Sequence, residues 1–295
     1  MIGFNGGLIG KDRTPALAAA AGVWSLDEQL KAQRGGVWPI VATGKLLSDY
    51  PGASVGYSLR LLRAAYSGSL VTVRRSSDNT TQGFNETQIN GSGAGSLTDF
   101  CSGTDGFVTT WHDQSGNGNN ATQSDTSIQP QIVTSGTVNT LNGEPCLTYN
   151  NSGTTNLTFD TQLTDIISVF QVLNIDSAQT GAVGFLLGDS STFNYHGGTT
   201  TWLNGFDAAA VVINGSNRLN NAITNLTTTN RVSSQVLISM IHTGSATASR
   251  LSKDRNIDGR SIRGNMQELI LYNSSQSTNV ADINGNINAH YSIYA

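Results

Sequence analysis

The sequence predicts a mostly β fold: a sandwich of short strands with a few short helices and an extended N-terminal arm. Three observations carry that expectation. Only 12% of the residues are charged, about half the usual share, so Ser, Thr, Asn and Gly supply most of the polar surface, with Thr suited to strands and Asn-Gly to turns. Asn-Gly pairs at 142–143, 204–205 and 214–215 separate short apolar stretches in the rhythm of a sandwich. Two nearly continuous apolar runs, "IISVFQVLNI" (166–175) and "QVLISMIH" (235–242), read as central strands covered on both faces.

The chain divides near residue 52, into an arm (1–52) and a β domain (53–295). In the arm, Ser25 is placed to cap a short helix with Glu28 completing the capping box, and Gly35-Gly36 stops it. One or two turns of helix between Gly-rich segments bury no core alone, so the arm is expected to order against something larger. Phe4, Leu8, Trp24, Leu26, Leu30 and Trp38 are its apolar anchors, with the two Trp leading because large aromatics dominate interfaces.

In the β domain, Leu59, Leu62 and Tyr66 recur at helical spacing within "VGYSLRLLRAAY" (55–66), which predicts an opening helix. "SLVTVRR" follows as a strand, "SLTDFC" as a short helix, and "GFVTTWH" as a strand that ends at a Gly/Asn turn. Further strands are expected at "CLTY", "NLTF", "AVGFLLG", "AAVVI" and "NMQELILYN". Val280, Ile283 and Ile287 predict a closing helix, which Gly285 weakens by about 1 kcal/mol relative to Ala.

Charge excludes some function classes. A net charge of −4 and a pI near 5.5 argue against an electrostatic nucleic-acid binder. No stretch approaches the roughly 18 apolar residues of a membrane span. Cys101 and Cys146 make no disulfide framework; with no secretion signal recognised, both are expected to be reduced core residues, a single bridge being the alternative.

"AYSGSLVTVRRSSDNTTQGF" (65–84), "DGFVTTWHDQSGNGNNATQ" (105–123) and "QPQIVTSGTVNTLNGEPCLTY" (129–149) together resemble the jelly-roll domain of α-L-arabinofuranosidase B, a pattern shared with concanavalin-like, laminin-G-like domains that lack its activity. The C-terminal "GNMQELILYN…NAHYSIY" is similar to the last strand and closing helix of such domains. The resemblance implies a concanavalin-like jelly roll. Separately, "MIGFNGGLIGKDR" and "GVWSLDEQLKAQRGGVWP" are similar to leader segments of tailed-phage virion proteins, which implies an attachment arm carrying an outward-facing domain.

Candidate chemistry is sparse. Asp113, Ser115, Asn117 and Gly118 fit the opening of a calcium loop, but Ser124 stands where the twelfth-position Glu belongs. The preferred reading is a turn, with Asp113 and Asn117 accepting backbone N–H groups and Gly116 and Gly118 taking positive φ. No cofactor is expected, a structural calcium being the alternative. Asp105, Asp113, Asp189, Asp207 and Glu268 are the carboxylates on strands or their edges. No pair matches a glycosidase context, and the arabinofuranosidase paired-cysteine segment has no counterpart here. His112, His196, His242 and His290 are scattered, without a nucleophile elbow or zinc spacing. For sugars, "FNYHGGTTTWLNGFD" (193–207) gathers aromatic and amide groups. Tyr195 and Trp202 form the expected platform, with His196, Asn204 and Asp207 as polar partners; the alternative places both rings in the core.

These readings lead to an expected non-enzymatic phage virion protein, assembled in the host cytoplasm. Its arm would dock on other virion proteins, and its sandwich would serve as tail fibre, appendage or capsid decoration touching host-surface glycans, as a homo-oligomer. The alternatives are a capsid cement or tail protein without ligand, and a glycoside hydrolase of the arabinofuranosidase type.

Overall fold

A computed structural model describes residues 45–149, 154–176, 186–255 and 257–295. The arm anchors Phe4, Leu8, Trp24, Leu26, Leu30 and Trp38 lie outside the described residues, as does most of "AVGFLLG".

The described chain opens with α1 (Leu46–Asp49) and β1 (Ala53–Ser58). The predicted helix over 55–66 is therefore corrected to a strand and an irregular segment. Val55, Tyr57 and Leu59 enter the main core on alternate positions, and that two-residue period outweighs the helical spacing of Leu59, Leu62 and Tyr66. Next come β2 (Val71–Arg75), β3 (Thr81–Phe84), α2 (Glu86–Asn90) and α3 (Leu97–Phe100). Asn85 and Gln88 form a reciprocal capping box on α2, and the Ser96 side chain caps α3 by accepting from the Asp99 N–H. These caps satisfy backbone donors that a helix this short would otherwise leave open.

Seven strands follow: β4 (Gly106–Trp111), β5 (Ala121–Thr122), β6 (Gln131–Thr134), β7 (Thr137–Val138), β8 (Thr140–Leu141), β9 (Glu144–Pro145) and β10 (Leu147–Tyr149). Asn142 and Gly143, with φ of 53° and 84°, make the two-residue hairpin turn between β8 and β9 that the Asn-Gly pair predicts. The long β11 (Leu157–Ile175) precedes β12 (Leu187–Gly188), α4 (Ala210–Ile213), β13 (Ser216–Leu219) and β14 (Ala222–Ile223). "AAVVI" is a turn of helix, not a strand. Asn217 Nδ2 donates to the Val212 and Ile213 carbonyls at 3.0 and 3.4 Å, which stabilises the end of that turn. The chain closes with β15 (Val236–Leu251), β16 (Gly264–Tyr272) and α5 (Val280–Tyr291).

All the strand pairings described are antiparallel. Following them from β16 through β10, β6, β4, β5 and β11 leads back to β16, so six strands close a ring. The main core fills its interior around Trp111, Tyr57 and Phe159. β11 presents Val169, Leu173 and Ile175 to that core, and Phe170 and Val172 to a second cluster. The two-sided burial explains why 166–175 reads as an unbroken apolar run. The second cluster is roofed by Leu46 and Leu47 of α1 and by Val280, Ile283, Ile287 and Tyr291 of α5. Each of those α5 side chains contributes roughly 1.5–3 kcal/mol by its burial.

The compact unit containing these elements runs from Gly44 to Ala295. Residues 46–49 belong to this unit, and Leu46 and Leu47 are buried in its second cluster. Cys101 and Cys146 are both buried free thiols. Burial raises the pKa of Cys101 to about 11 and that of Cys146 to about 12, so neither is a reactive thiolate near neutral pH.

Candidate functional site

A polar cleft lies where β10 and β11 end and β16 begins. β16 starts at Gly264, which pairs with Tyr149 of β10 on one side and Ile175 of β11 on the other. Its φ is 152°, and a Cβ there would lie 2.2 Å from the Asn174 carbonyl oxygen, so only glycine admits both neighbours. The Asp176 N–H donates to the Arg263 carbonyl at 2.8 Å. This extends the ladder one step and sets Asp176 just past the end of β11.

Two concavities of about 470 and 260 Å³ meet there and share Asp176 and Ser233. Thr199, Thr200, Asn230 and Arg231 line the larger; Thr148, Asn174, Arg263 and Asn265 line the smaller. A run of amides forms the floor of the smaller. Asn139 Nδ2 donates to Thr148 Oγ1 (3.1 Å), which donates to Asn265 Oδ1 (2.8 Å). Asn265 Nδ2 donates to Asn174 Oδ1 (3.0 Å), and Asn174 Nδ2 to the Ser233 carbonyl (2.9 Å). Such a chain fixes each amide's orientation.

The charges are two guanidiniums and one carboxylate. Arg263 Nε lies 3.1 Å from Asp176 Oδ2, with both side chains about half exposed. The Arg231 N–H donates to the Thr200 carbonyl at 2.8 Å, and its Nη2 to Thr199 O. Burial lowers the Arg231 pKa. Solvated Asp176 beside fixed amides, hydroxyls and Arg is the chemistry that binds a polyhydroxylated ligand and moves a proton on it.

The residues expected from sequence to bind sugar lie elsewhere. Tyr195 and Trp202 are 1% and 0% exposed and belong to the main core. The expected aromatic platform is thereby corrected: two large rings near a Gly-Gly turn bury more apolar surface inward than a ligand would cover. His196 is also buried, with Nδ1 at 2.8 Å from the Gly197 carbonyl oxygen. Asn204 Oδ1 accepts the N–H groups of Phe206 and Asp207, and Asn204 Nδ2 donates to Asp207. Together they hold a turn that leaves Phe206 99% exposed.

The other expected carboxylates hold the scaffold. Asp113 Oδ1 accepts from the Gly56 and Ser115 N–H groups, and Oδ2 from the Ser115 hydroxyl and the Asn119 N–H. Gly116 and Gly118 take φ of 100° and 73°, so the loop is a turn whose carboxylate is filled by its own chain. Glu268 forms a bidentate pair with Arg60 (2.7 and 3.0 Å) and accepts from Ser58 Oγ at 2.9 Å, all buried. Burial works against charge on Arg60, but Glu268 outweighs it and raises the Arg60 pKa. Asp189 is buried, which opposes its charge, yet hydrogen bonds led by Gln162 and Ser191 hold its carboxyl below the ordinary range. Asp105 accepts from the Ser135 N–H at 2.8 Å. His112 meets Thr72, and His290 faces Glu144 at 3.8 Å.

Sequence reasoning missed Asp176, Arg231 and Arg263. A signal was present in Asn174-Ile175-Asp176, where the longest apolar run turns polar, and in Gly264-Asn265 at the start of another strand. The register that joins them was not visible in the sequence.

The family model described as "Alpha-L-arabinofuranosidase B, catalytic" matches residues 49–142. No curated protein matches the sequence. Similar solved structures include an arabinofuranosidase complexed with arabinofuranosyl-α-1,2-xylobiose, at 18% identity and a TM-score of 0.46. Another is a GH54 α-L-arabinofuranosidase soaked with a cyclic sulfate inhibitor, at 18% identity and a TM-score of 0.47. Each comparison covers 80% of this chain but 62% of the other, so the chain spans about three fifths of those structures. The expectation of a non-enzymatic virion protein, with its tail-fibre and capsid roles, is overturned by the family match, because the matched family is a hydrolase catalytic domain. Over residues 49–142 the chain is similar to the catalytic domain of α-L-arabinofuranosidase B.

Proposed function

We propose that the protein is a glycoside hydrolase of the arabinofuranosidase type, built on a concanavalin-like jelly roll. The observation that carries this reading is the match of residues 49–142 to the arabinofuranosidase B catalytic family. The Asp176 cleft supports it chemically. Asn174, Asn230, Thr199 and Arg231 offer donors and acceptors to sugar hydroxyls, and Asp176 is the acid/base or nucleophile candidate. Among the described residues Asp176 is the one carboxylate lining the cleft. The two-carboxylate route needs a partner at roughly 5–5.5 Å for retention or 6.5–9.5 Å for inversion, so turnover must be measured directly.

The test is nitrophenolate release from 4-nitrophenyl α-L-arabinofuranoside. The wild type is expected to release it, and Asp176→Asn to lose at least about a hundredfold in kcat. Binding of arabinan with no arabinose or nitrophenolate release would overturn the hydrolase reading.

A further inference from the structure

At the other end of β11 lies a second concavity, of about 550 Å³, on the outer face of the sheet. Thr72 pairs with Thr110 across β2 and β4, Thr110 with Thr122 across β4 and β5, and Thr122 with Thr158 across β5 and β11. Their chain neighbours Val71, Trp111, Ala121, Leu157 and Phe159 all enter the main core, so by strand alternation the four threonines face outward. Thr110, Thr122 and Thr158 line the bowl as a row of hydroxyls repeating at the strand spacing of about 4.8 Å, while Thr72 continues the row beyond the bowl, with its hydroxyl against His112 at 2.8 Å.

The lining of this bowl adds Thr109, Gln123, Gln129 and Arg74, and among the described residues no Asp or Glu side chain lines it. Arg74 is only 8% exposed. Its guanidinium rests on the Phe107 ring at 5.0 Å. Its hydrogen-bond partners are neutral: Gln129 Oε1 at 2.9 Å, Asn79 Oδ1 at 2.8 Å and, at a long 3.4 Å, the Thr126 carbonyl. Burial lowers its pKa and no carboxylate offsets that. The nearby Asp125 turns its carboxylate onto Ser127. A buried cation without a counter-charge, set in a wall of hydroxyls and amides, is a receptor for an oxygen-rich anion.

We propose that this bowl is an accessory binding surface for a polysaccharide chain bearing carboxylates, such as a polyuronate. The threonine row takes the sugar hydroxyls, and Arg74 takes a uronate carboxylate. The surface is separate from the Asp176 cleft and its occupancy needs no turnover.

The test is affinity electrophoresis of the full chain in gels containing polygalacturonate or neutral arabinan. Polygalacturonate should retard the wild type more than arabinan does, and added salt should weaken the effect. Thr110→Val and Thr122→Val, which remove hydroxyls at nearly constant volume, should each weaken that retardation at least threefold. Arg74→Gln should abolish it; should that variant not fold, the two Val variants still decide. Equal retardation of wild type and Val variants, or retardation by arabinan that matches polygalacturonate, would overturn the proposal. Nitrophenyl arabinofuranoside hydrolysis should be unchanged in the Val variants. Failure of the hydrolase reading would leave the retardation intact, so the two ideas fail separately.

Discussion

The two ends of β11 carry carboxylates in opposite states. Near its start, Asp113 accepts four hydrogen bonds, three from its own turn and one from Gly56 of β1, and Asn119 of the same turn exchanges hydrogen bonds with Thr161 of β11. At its end, Asp176 is half exposed and ion-paired with Arg263 at the mouth of a cleft. A buried carboxylate held by its own turn and a neighbouring strand contributes to the fold; one that is half exposed at a cleft, beside fixed amides, is within reach of a ligand. On this distinction the proposed hydrolysis is assigned to Asp176, while Asp113, Asp189 and Glu268 are occupied by scaffold contacts.

The largest effect expected from breaking a closed site is at Glu268. Glu268→Gln leaves Arg60 buried without its partner and should cost about 3–5 kcal/mol, read as a lower urea midpoint. A loss below about 1 kcal/mol would show that the pair is not structural.

The next effect is pH-dependent. Burial lowers the His242 pKa to about 4 from an ordinary 6.5, so the folded state holds it neutral. Between pH 6.5 and 4 the unfolded chain binds the proton and the folded chain does not. Stability is therefore full above pH 6.5 and falls with acidification through that window, by on the order of 3 kcal/mol. Urea midpoints at several pH values should show this slope, and His242→Gln should flatten it.

Asp113→Ala should cost about 1–3 kcal/mol, because it strands the N–H groups of Gly56 and Asn119. The same substitution should leave the kcat of folded protein unchanged. The smallest effect is a gain. Gly285 lies inside α5, and an alanine methyl there would meet nothing within 4 Å, so Gly285→Ala should stabilise by about 0.5–1 kcal/mol in a thermal melt.

Local patterns in the sequence carried much of the fold. Ser96 before α3, the strand ending at Trp111, the last strand and the spacing of Val280, Ile283 and Ile287 all follow from near neighbours in the chain. The opening helix failed because Val55, Tyr57 and Leu59 alternate into the core and make 53–58 a strand, leaving Leu62 and Tyr66 in an irregular segment whose helical spacing is coincidental. The sugar platform failed because an aromatic cluster has the same composition whether it faces a ligand or the core; Tyr195 and Trp202 face the core. The cleft was hidden for a different reason. Asp176, Arg231 and Arg263 are far apart in sequence, and what unites them is the pairing of Ile175 with Gly264 and the seating of Ser233 on Asn174.

The central proposal is that the half-exposed carboxylate at the end of β11 performs glycoside hydrolysis while the buried ones only hold the fold. The most direct measurement is kcat for an α-L-arabinofuranoside in Asp176→Asn protein whose melting temperature has been checked. The account predicts a melting temperature near wild type, since a half-exposed ion pair contributes about 0–1 kcal/mol, with kcat down at least about a hundredfold. Full activity in that variant would contradict it.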